Sequence, residues 1–199
     1  MNPWWLIVAG VGLLALGPSI ALARKPRISV VESRIFHAIN GLPAALYPFL
    51  WLPMQLGNLA VGTGAGLLIA LLDRDLTVAI GVVAVMGLKL VTERIVRREM
   101  ADYLAVRQRP GTSQNGAILR GSDVPASGPS FPSGHVILAA GVGTVISPII
   151  PSTWWWLPAL AATLVAVGRV YAGAHNPLDV TAGLGAGLLV GGVIASFVH

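Results

Sequence analysis

Cysteine is absent from all 199 residues. The chain therefore has no disulfide, no thiolate nucleophile and no cysteine-held metal. Charge is scarce as well. Asp, Glu, Lys and Arg make up 11% of the sequence, against about 25% in a soluble domain. Lys and Arg are missing from the first 23 positions. Ala21-Leu22-Ala23 resembles a small-residue cleavage site, but no basic n-region precedes the apolar run that opens at Trp4. That run is longer than the roughly 7–15 residues of a signal h-region, so it reads as a retained membrane span.

What remains is apolar and basic. Hydrophobic residues are 55% of the chain and the mean hydropathy is +0.76, the composition of an integral membrane protein. The net charge of +5 comes from basic residues gathered at helix ends. In that setting the expected partners are anionic headgroups or a phosphate-bearing substrate, and nucleic acid is not one of them. Six apolar segments are legible, at 4–22, 45–72, 76–93, 132–150, 154–172 and 177–198. Residues 28–40 alternate apolar and charged positions and predict a short amphipathic helix at the interface. A polar stretch rich in Gly, Ser and Pro runs from the basic helix end at 94–98 to about 130. Long irregular segments in compact proteins are often functional. The expected architecture is a single all-α domain over 1–199: six transmembrane helices, the amphipathic helix, and a long active-site loop between spans three and four. Glycines four apart, at Gly62 and Gly66 and at Gly183, Gly187 and Gly191, predict close helix packing.

Six alternating spans sort the connections onto two sides. One side holds 23–44, 94–131 and 173–176, and the other holds both termini, 73–75 and 151–153. The scarce polar residues fall on the first side. Arg109-Pro110 lies in the long loop, Ser133-Gly134-His135 opens span four, and Arg169, His175 and Asp179 bracket the turn between spans five and six. Ionisable residues in or beside spans are functional candidates. Arginine offers a fork of donors that fits phosphate oxygens. Pro132 is expected in the first turn of a helix whose free N–H groups near Ser133 and Gly134 face an anion. Two histidines then divide the chemistry, one attacking phosphorus and the other protonating the leaving oxygen. His175 and Asp179, four apart, are a candidate nucleophile and its orienting partner.

These motifs resemble the type 2 phosphatidic acid phosphatase (PAP2) superfamily of integral membrane lipid phosphatases. That family's second signature is present as Pro132-Ser133-Gly134-His135. Its third, Ser-Arg-x5-His-x3-Asp, matches at Arg169, His175 and Asp179, with Gly168 in place of the leading serine. Its first, Lys-x6-Arg-Pro, ends at Arg109-Pro110, but its lysine position holds Asp102. Arg98, Arg94 and Lys89 are the candidates to replace that base. The resemblance implies His175 as the nucleophile of a phosphohistidine intermediate, Asp179 as its orienting group and His135 as general acid. It implies Arg109, Ser133, Gly134 and Arg169 as phosphoryl ligands, and no metal or other cofactor. The substrate would be a polyprenyl or glycerophospholipid phosphate or diphosphate. Two alternatives stand beside hydrolysis: a non-catalytic lipid-phosphate binder, favoured by Asp102, and a lipid phosphotransferase.

Taken singly, several of these residues have plainer readings. Asp179 also suits a helix first turn, Arg169 a snorkelling side chain and Ser133 an N-cap. It is their joint spacing on one face that selects catalysis. His37, His199, Arg97 and Arg120 read as surface or headgroup residues. Trp154-Trp155-Trp156 reads as an interfacial anchor, and Tyr103 and Asp123 as possible linings of the substrate opening. Of the 13 Lys and Arg residues, only Arg74 falls on the side of the termini. The positive-inside rule then puts the motif side in the cytoplasm of a bacterial-type inner membrane.

Overall fold

The computed structural model describes the backbone of residues 2–25, 27–98 and 107–198, and the side chains of all of these except 96–98. Asp102, Tyr103, His199 and the side chains of Arg97 and Arg98 therefore lie outside the described residues. Within them the chain forms nine α-helices and a few single 3-10 turns. In chain order these are α1 (Pro3–Ala23), α2 (Val30–Asn40), α3 (Tyr47–Met54), α4 (Leu59–Leu72), α5 (Leu76–Arg98), α6 (Pro110–Ser113), α7 (Gly134–Ile146), α8 (Leu157–Tyr171) and α9 (Pro177–Val198).

Local signals start most of these helices. Asn2 accepts from Trp4 N, with Pro3 at the first position of α1. Ser29 accepts from Glu32 N at the head of α2, and Asn58 accepts from Ala60 N and Val61 N at the head of α4. Three helical stretches are long and apolar enough to cross a membrane unaided: Pro3–Ala23, Leu76–Ile95 and Pro177–Val198. The expected second span, 45–72, is broken. Pro53 lies inside α3, a 3-10 turn follows at Gln55–Gly57, and Asn58 is extended (ψ 138°). α4 alone, at 1.5 Å per residue, is about 21 Å long, short of a hydrocarbon core of about 30 Å. α2 and the Ala44–Gly57 segment pass the span criterion only as a pair bent by 77°.

α7 is the central helix. It packs against α4, α5, α8 and α9, and all its residues except His135 are buried. That is why its sequence is apolar all round. It begins at Gly134, with Ser133 as N-cap. Pro132, expected in the first turn, thus precedes the cap, because Ser133 is still extended (ψ 107°) and the helix starts only after it. Glycine makes the close crossings possible. A Cβ on Gly185 would lie 2.7 Å from Leu16 N and 2.8 Å from Gly12 O, so α1 and α9 meet backbone to backbone. Gly187 and Gly191 do the same for α9 against α7.

The short helix expected over 28–40 is present as α2, and it buries polar as well as apolar side chains. Its buried residues are Glu32, Phe36 and Asn40, while Val30, Val31 and Ile35 are exposed. Arg34 and His37 are exposed as well and Phe36 joins the core, so both faces are mixed, and Glu32 and Asn40 find partners inside.

The two ends of the bundle differ. At one, Asn2 N donates to Ser196 O (3.2 Å) and Thr77 Oγ1 to Val198 O (3.4 Å). At the other, the start of α7, the end of α8, the start of α9 and the 107–132 loop come together.

The α1–α9 contact yields a paired test. Gly185→Val is expected to separate the helices and cost about 1–3 kcal/mol, read as a lower melting temperature in detergent. Gly10→Ala, with no atom within 4 Å of the added Cβ, should leave that temperature unchanged.

Candidate active site

The turn between α8 and α9 carries the histidine–carboxylate pair. Gly173 bends the chain there at φ 76°, and a Cβ at that position would also meet Ile118 O at 2.6 Å. His175 follows, nearly buried, and Asp179 sits in the first turn of α9, fully buried. One carboxylate oxygen, Oδ2, accepts Asn176 N–H at 2.8 Å, the reciprocal bond of a capping box. The same oxygen is 3.8 Å from His175 Nδ1, within electrostatic reach but beyond hydrogen-bond length. Oδ1 accepts Arg107 Nε at 3.0 Å. The plain reading of Asp179 as a helix-start residue and the functional one thus describe a single carboxylate.

Burial holds the His175 imidazole below the ordinary histidine value. Asp179 opposes that shift, and Arg169 and Arg109 add to it. The ring is therefore neutral at pH 7. With Nδ1 turned toward Asp179, Nε2 is the ring nitrogen directed away from that carboxylate.

The other motif residues gather here. The Arg109 guanidinium donates from Nη1 to Ala174 O at 2.9 Å, next to His175. His135 lies within electrostatic reach of Arg169, His175, Lys89 and Arg109. Ser133 donates its backbone N–H to Asp179 O at 3.0 Å, which ties the start of α7 to α9. Its side chain makes no capping bond, unlike Ser29. Ser133 Oγ and Arg169 Nε are both buried without a hydrogen-bond partner. Buried polar atoms are normally paired. These two, beside first-turn N–H groups that no helix carbonyl can satisfy, form a donor set suited to an anion.

Of the three candidates for the missing base, Lys89 is at the site. It is 9% exposed and pairs with Glu93 at 3.1 Å. Its Cε would be 3.1 Å from a Cβ built on Gly134, and Glu93 Oε1 only 1.8 Å. A side chain at Gly134 would have to displace the ends of these two α5 side chains, which crowd the head of α7. Arg94 is exposed. The lysine comes from a helix 20 positions before Arg109, a distance that motif spacing does not reveal.

Other partners escaped the sequence. Arg107 is 3% exposed and bridges Asp179 and Glu32. Gln114 donates to Asn176 Oδ1 and accepts from Ser33. Asn40 donates to Ile118 O and Tyr171 O, which fastens the long loop to α8. Only the buried position of these polar residues marks them, and no sequence pattern does. Arg120 corrects its expected surface role. It donates to the carbonyls of Asn40, Leu42 and Tyr171, and its guanidinium stacks 4.2 Å over the Tyr171 ring. Asp123 forms an ion pair with Arg169 at 3.2 Å. Trp154, Trp155 and Trp156 are exposed, at the far end of the bundle.

An apolar cavity of about 200 Å³ opens between α4, α7 and α8. Leu56, Gly66, Ala139 and Val142 line it, and it extends to Ile150 and Leu157. Its lining residue nearest the site along α7 is Ala139, one turn beyond His135.

These features define a class: an all-helical membrane protein with a buried histidine–carboxylate pair and clustered arginines at one end. The model of the PAP2 superfamily matches residues 76–199, and the chain belongs to that superfamily. An undecaprenyl-diphosphatase of Sulfolobus acidocaldarius is 34% identical over 89 residues, 45% of this chain and 42% of that protein. The bacitracin transport permease protein BcrC of Bacillus licheniformis is 43% identical over 61 residues, 30% of this chain and 29% of that protein. The chain thus aligns with less than half the length of these curated relatives. Two crystal structures share the fold. One is a PAP2-type phosphatidylglycerolphosphate phosphatase of Bacillus subtilis (TM-score 0.68, 22% identity, covering 94% of each chain). The other is LpxE of Aquifex aeolicus (TM-score 0.64, 23% identity, covering 82% of this chain and 93% of that one).

Gly168, where the family signature has serine, has a local cause. A Cβ there would meet Met54 Cγ at 2.5 Å and Sδ at 2.8 Å. Gly168→Ser is expected to lower the melting temperature by forcing α3 away from α8. Adding Met54→Ala should restore it. A double variant no more stable than the single one counts against this explanation.

Proposed function

We propose that this protein hydrolyses a phosphomonoester or diphosphate on a polyprenyl or glycerophospholipid substrate through a phosphohistidine. The observation that carries the reading is the convergence of Arg109, Ser133, His135, Arg169, His175 and Asp179, drawn from three separate stretches, at one end of the bundle. His175 Nε2 attacks phosphorus, and the bond from phosphorus to the leaving oxygen breaks as His135 delivers a proton to that oxygen. Water then attacks the phosphohistidine, with His135 taking a proton, and inorganic phosphate leaves. Arg109, Arg169, Ser133 Oγ and the Gly134 N–H region hold the phosphoryl oxygens, and Lys89 supplies the base absent at Asp102. No cofactor enters these steps. The apolar cavity that opens one turn beyond His135 supports an amphiphilic substrate whose chain lies between α4, α7 and α8. The curated relative named undecaprenyl-diphosphatase favours hydrolysis over binding alone or transfer to a second lipid.

The same reading takes all six apolar segments as crossing the inner membrane, with the broken α3–α4 stretch as the second span. The site then faces the cytoplasm, because ten Lys and Arg remain on its side against Arg74 alone once Arg109 and Arg169 are set apart as ligands.

Purified protein should release phosphate from a panel of lipid phosphates in the presence of EDTA and be inhibited by vanadate. His175→Ala should reduce turnover to background, and Lys89→Met should raise KM. Because the His175 imidazole is held below 6.5, the neutral nucleophile persists as pH falls through 6.5. The acid limb of kcat/KM should therefore lie below that value. A limb at or above 6.5, or turnover surviving in His175→Ala, would reject His175 as nucleophile.

The cysteine-free chain also allows a direct test of orientation. Thr153→Cys should react with a membrane-impermeant maleimide in intact cells, and Asn115→Cys only after permeabilisation. The reverse pattern places the site outside.

A further inference from the structure

Arg107 falls at one of the unspecified positions of the first signature, between Asp102 and Arg109, yet it is among the most enclosed cations in the described structure, at 3% exposure. Its described donors go to carboxylates. Nε donates to Asp179 Oδ1 at 3.0 Å, and Nη2 donates to Glu32 Oε1. Glu32 is also nearly buried, and the same Oε1 accepts Leu178 N–H at 3.0 Å, one residue before Asp179. Glu32 lies on α2, outside the family-matched residues 76–199. We propose that Arg107, held by Glu32, is a positioning residue that fixes the Asp179 carboxylate against His175. This rests on the reading of His175 as nucleophile.

The geometry leaves the carboxylate little freedom. Asn176 N–H holds Oδ2 and Arg107 holds Oδ1, so the group cannot rotate about its Cβ–Cγ bond without breaking a buried charged contact. Such a break is costly, because it strands an unpaired charge. Arginine suits the position because its guanidinium stays protonated and offers donors in two directions. Glu32 neutralises the cation from behind and sets its orientation.

The triad also sets how strongly Asp179 draws a proton onto His175. The other groups facing His175 are Arg169 from α8, Arg109 from the loop and His135 from α7, with Lys89 of α5 behind His135. Two further carboxylates, Asp123 and Glu93, are paired with Arg169 and Lys89, so the Asp179 charge, tempered by Arg107, is the main attraction that the imidazolium would feel. Removing Arg107 strengthens that attraction. Removing the Glu32 charge leaves Arg107 unopposed and weakens it. The two changes should therefore move the acid limb in opposite directions, which a purely structural role would not do.

The test is a pH–rate profile on the purified full chain with a short-chain phosphatidic acid as probe. Arg107→Gln is expected to lower kcat by roughly 10²-fold, the scale of a slight misplacement of a reacting group, with KM changed less than about twofold. Its acid limb should rise by about one pH unit. Glu32→Gln should move the limb the other way, and Arg107→Lys, which keeps the charge, should leave it near its original position. If Arg107→Gln does not fold, the downward shift in Glu32→Gln decides, and an unmoved limb there overturns the proposal. A raised KM with unchanged kcat and limb in Arg107→Gln also overturns it, by making Arg107 a phosphate ligand. Wild-type profiles in both variants, with His175→Ala inactive, defeat this inference alone. Turnover in His175→Ala defeats the underlying reading instead.

Discussion

A fully buried carboxylate beneath the end of a membrane bundle must be paired, and the pairing of Asp179 organises the site. Desolvating an unpaired charge costs several kcal/mol. Asp179 meets this with a backbone N–H from Asn176 and the guanidinium of Arg107, and it faces His175. Arg107 brings in the loop, and Glu32 brings in α2. The start of α7 joins through the Ser133 N–H on the Asp179 carbonyl. Four pieces of chain distant in sequence are thus fastened around one side chain. The burial of Glu32 on α2 answers the same requirement, because its carboxylate neutralises Arg107.

The apolar body of the protein works by different means. Between helices in a bilayer, close packing replaces the hydrophobic drive of water. Here the approach is made by glycines: Gly185 and Gly192 bring α1 onto α9, and Gly187 and Gly191 bring α9 onto α7. The tightly gripped α7 then presents its first turn at a set place, with Ser133, Gly134 and His135 aimed into the polar end. Packing is looser between α4, α7 and α8, where the apolar cavity opens one turn beyond His135. A rigid polar end beside an accommodating apolar cleft suits a ligand with a charged head and a greasy chain.

Both departures from the family pattern have local explanations. Gly168 replaces serine where Met54 of α3 leaves no space for a Cβ. For the base missing at Asp102 we propose Lys89, which reaches the head of α7 from α5 and pairs there with Glu93. A contact that depends on a helix face need not keep the spacing of a linear motif, so a function can persist while its signature lapses.

The sequence by itself determined the all-helical membrane character, the apolar segments, the sorting of connections onto two ends and the signature residues. These depend on composition, on runs of one polarity and on short fixed spacings, all of which are local. It misjudged what depends on neighbours. Pro132 falls before the helix because Ser133 stays extended, α2 buries Glu32 and Asn40 beside Phe36, and Arg120 clamps carbonyls where a headgroup contact was expected. Arg107, Glu32, Asn40 and Gln114 carried no signal, since a charged or amide side chain looks the same in sequence whether solvated or buried. Only the tertiary structure decided which of Lys89, Arg94 and Arg98 has a described place at the site. Only packing decides which polar groups lose water, and those groups must then find one another.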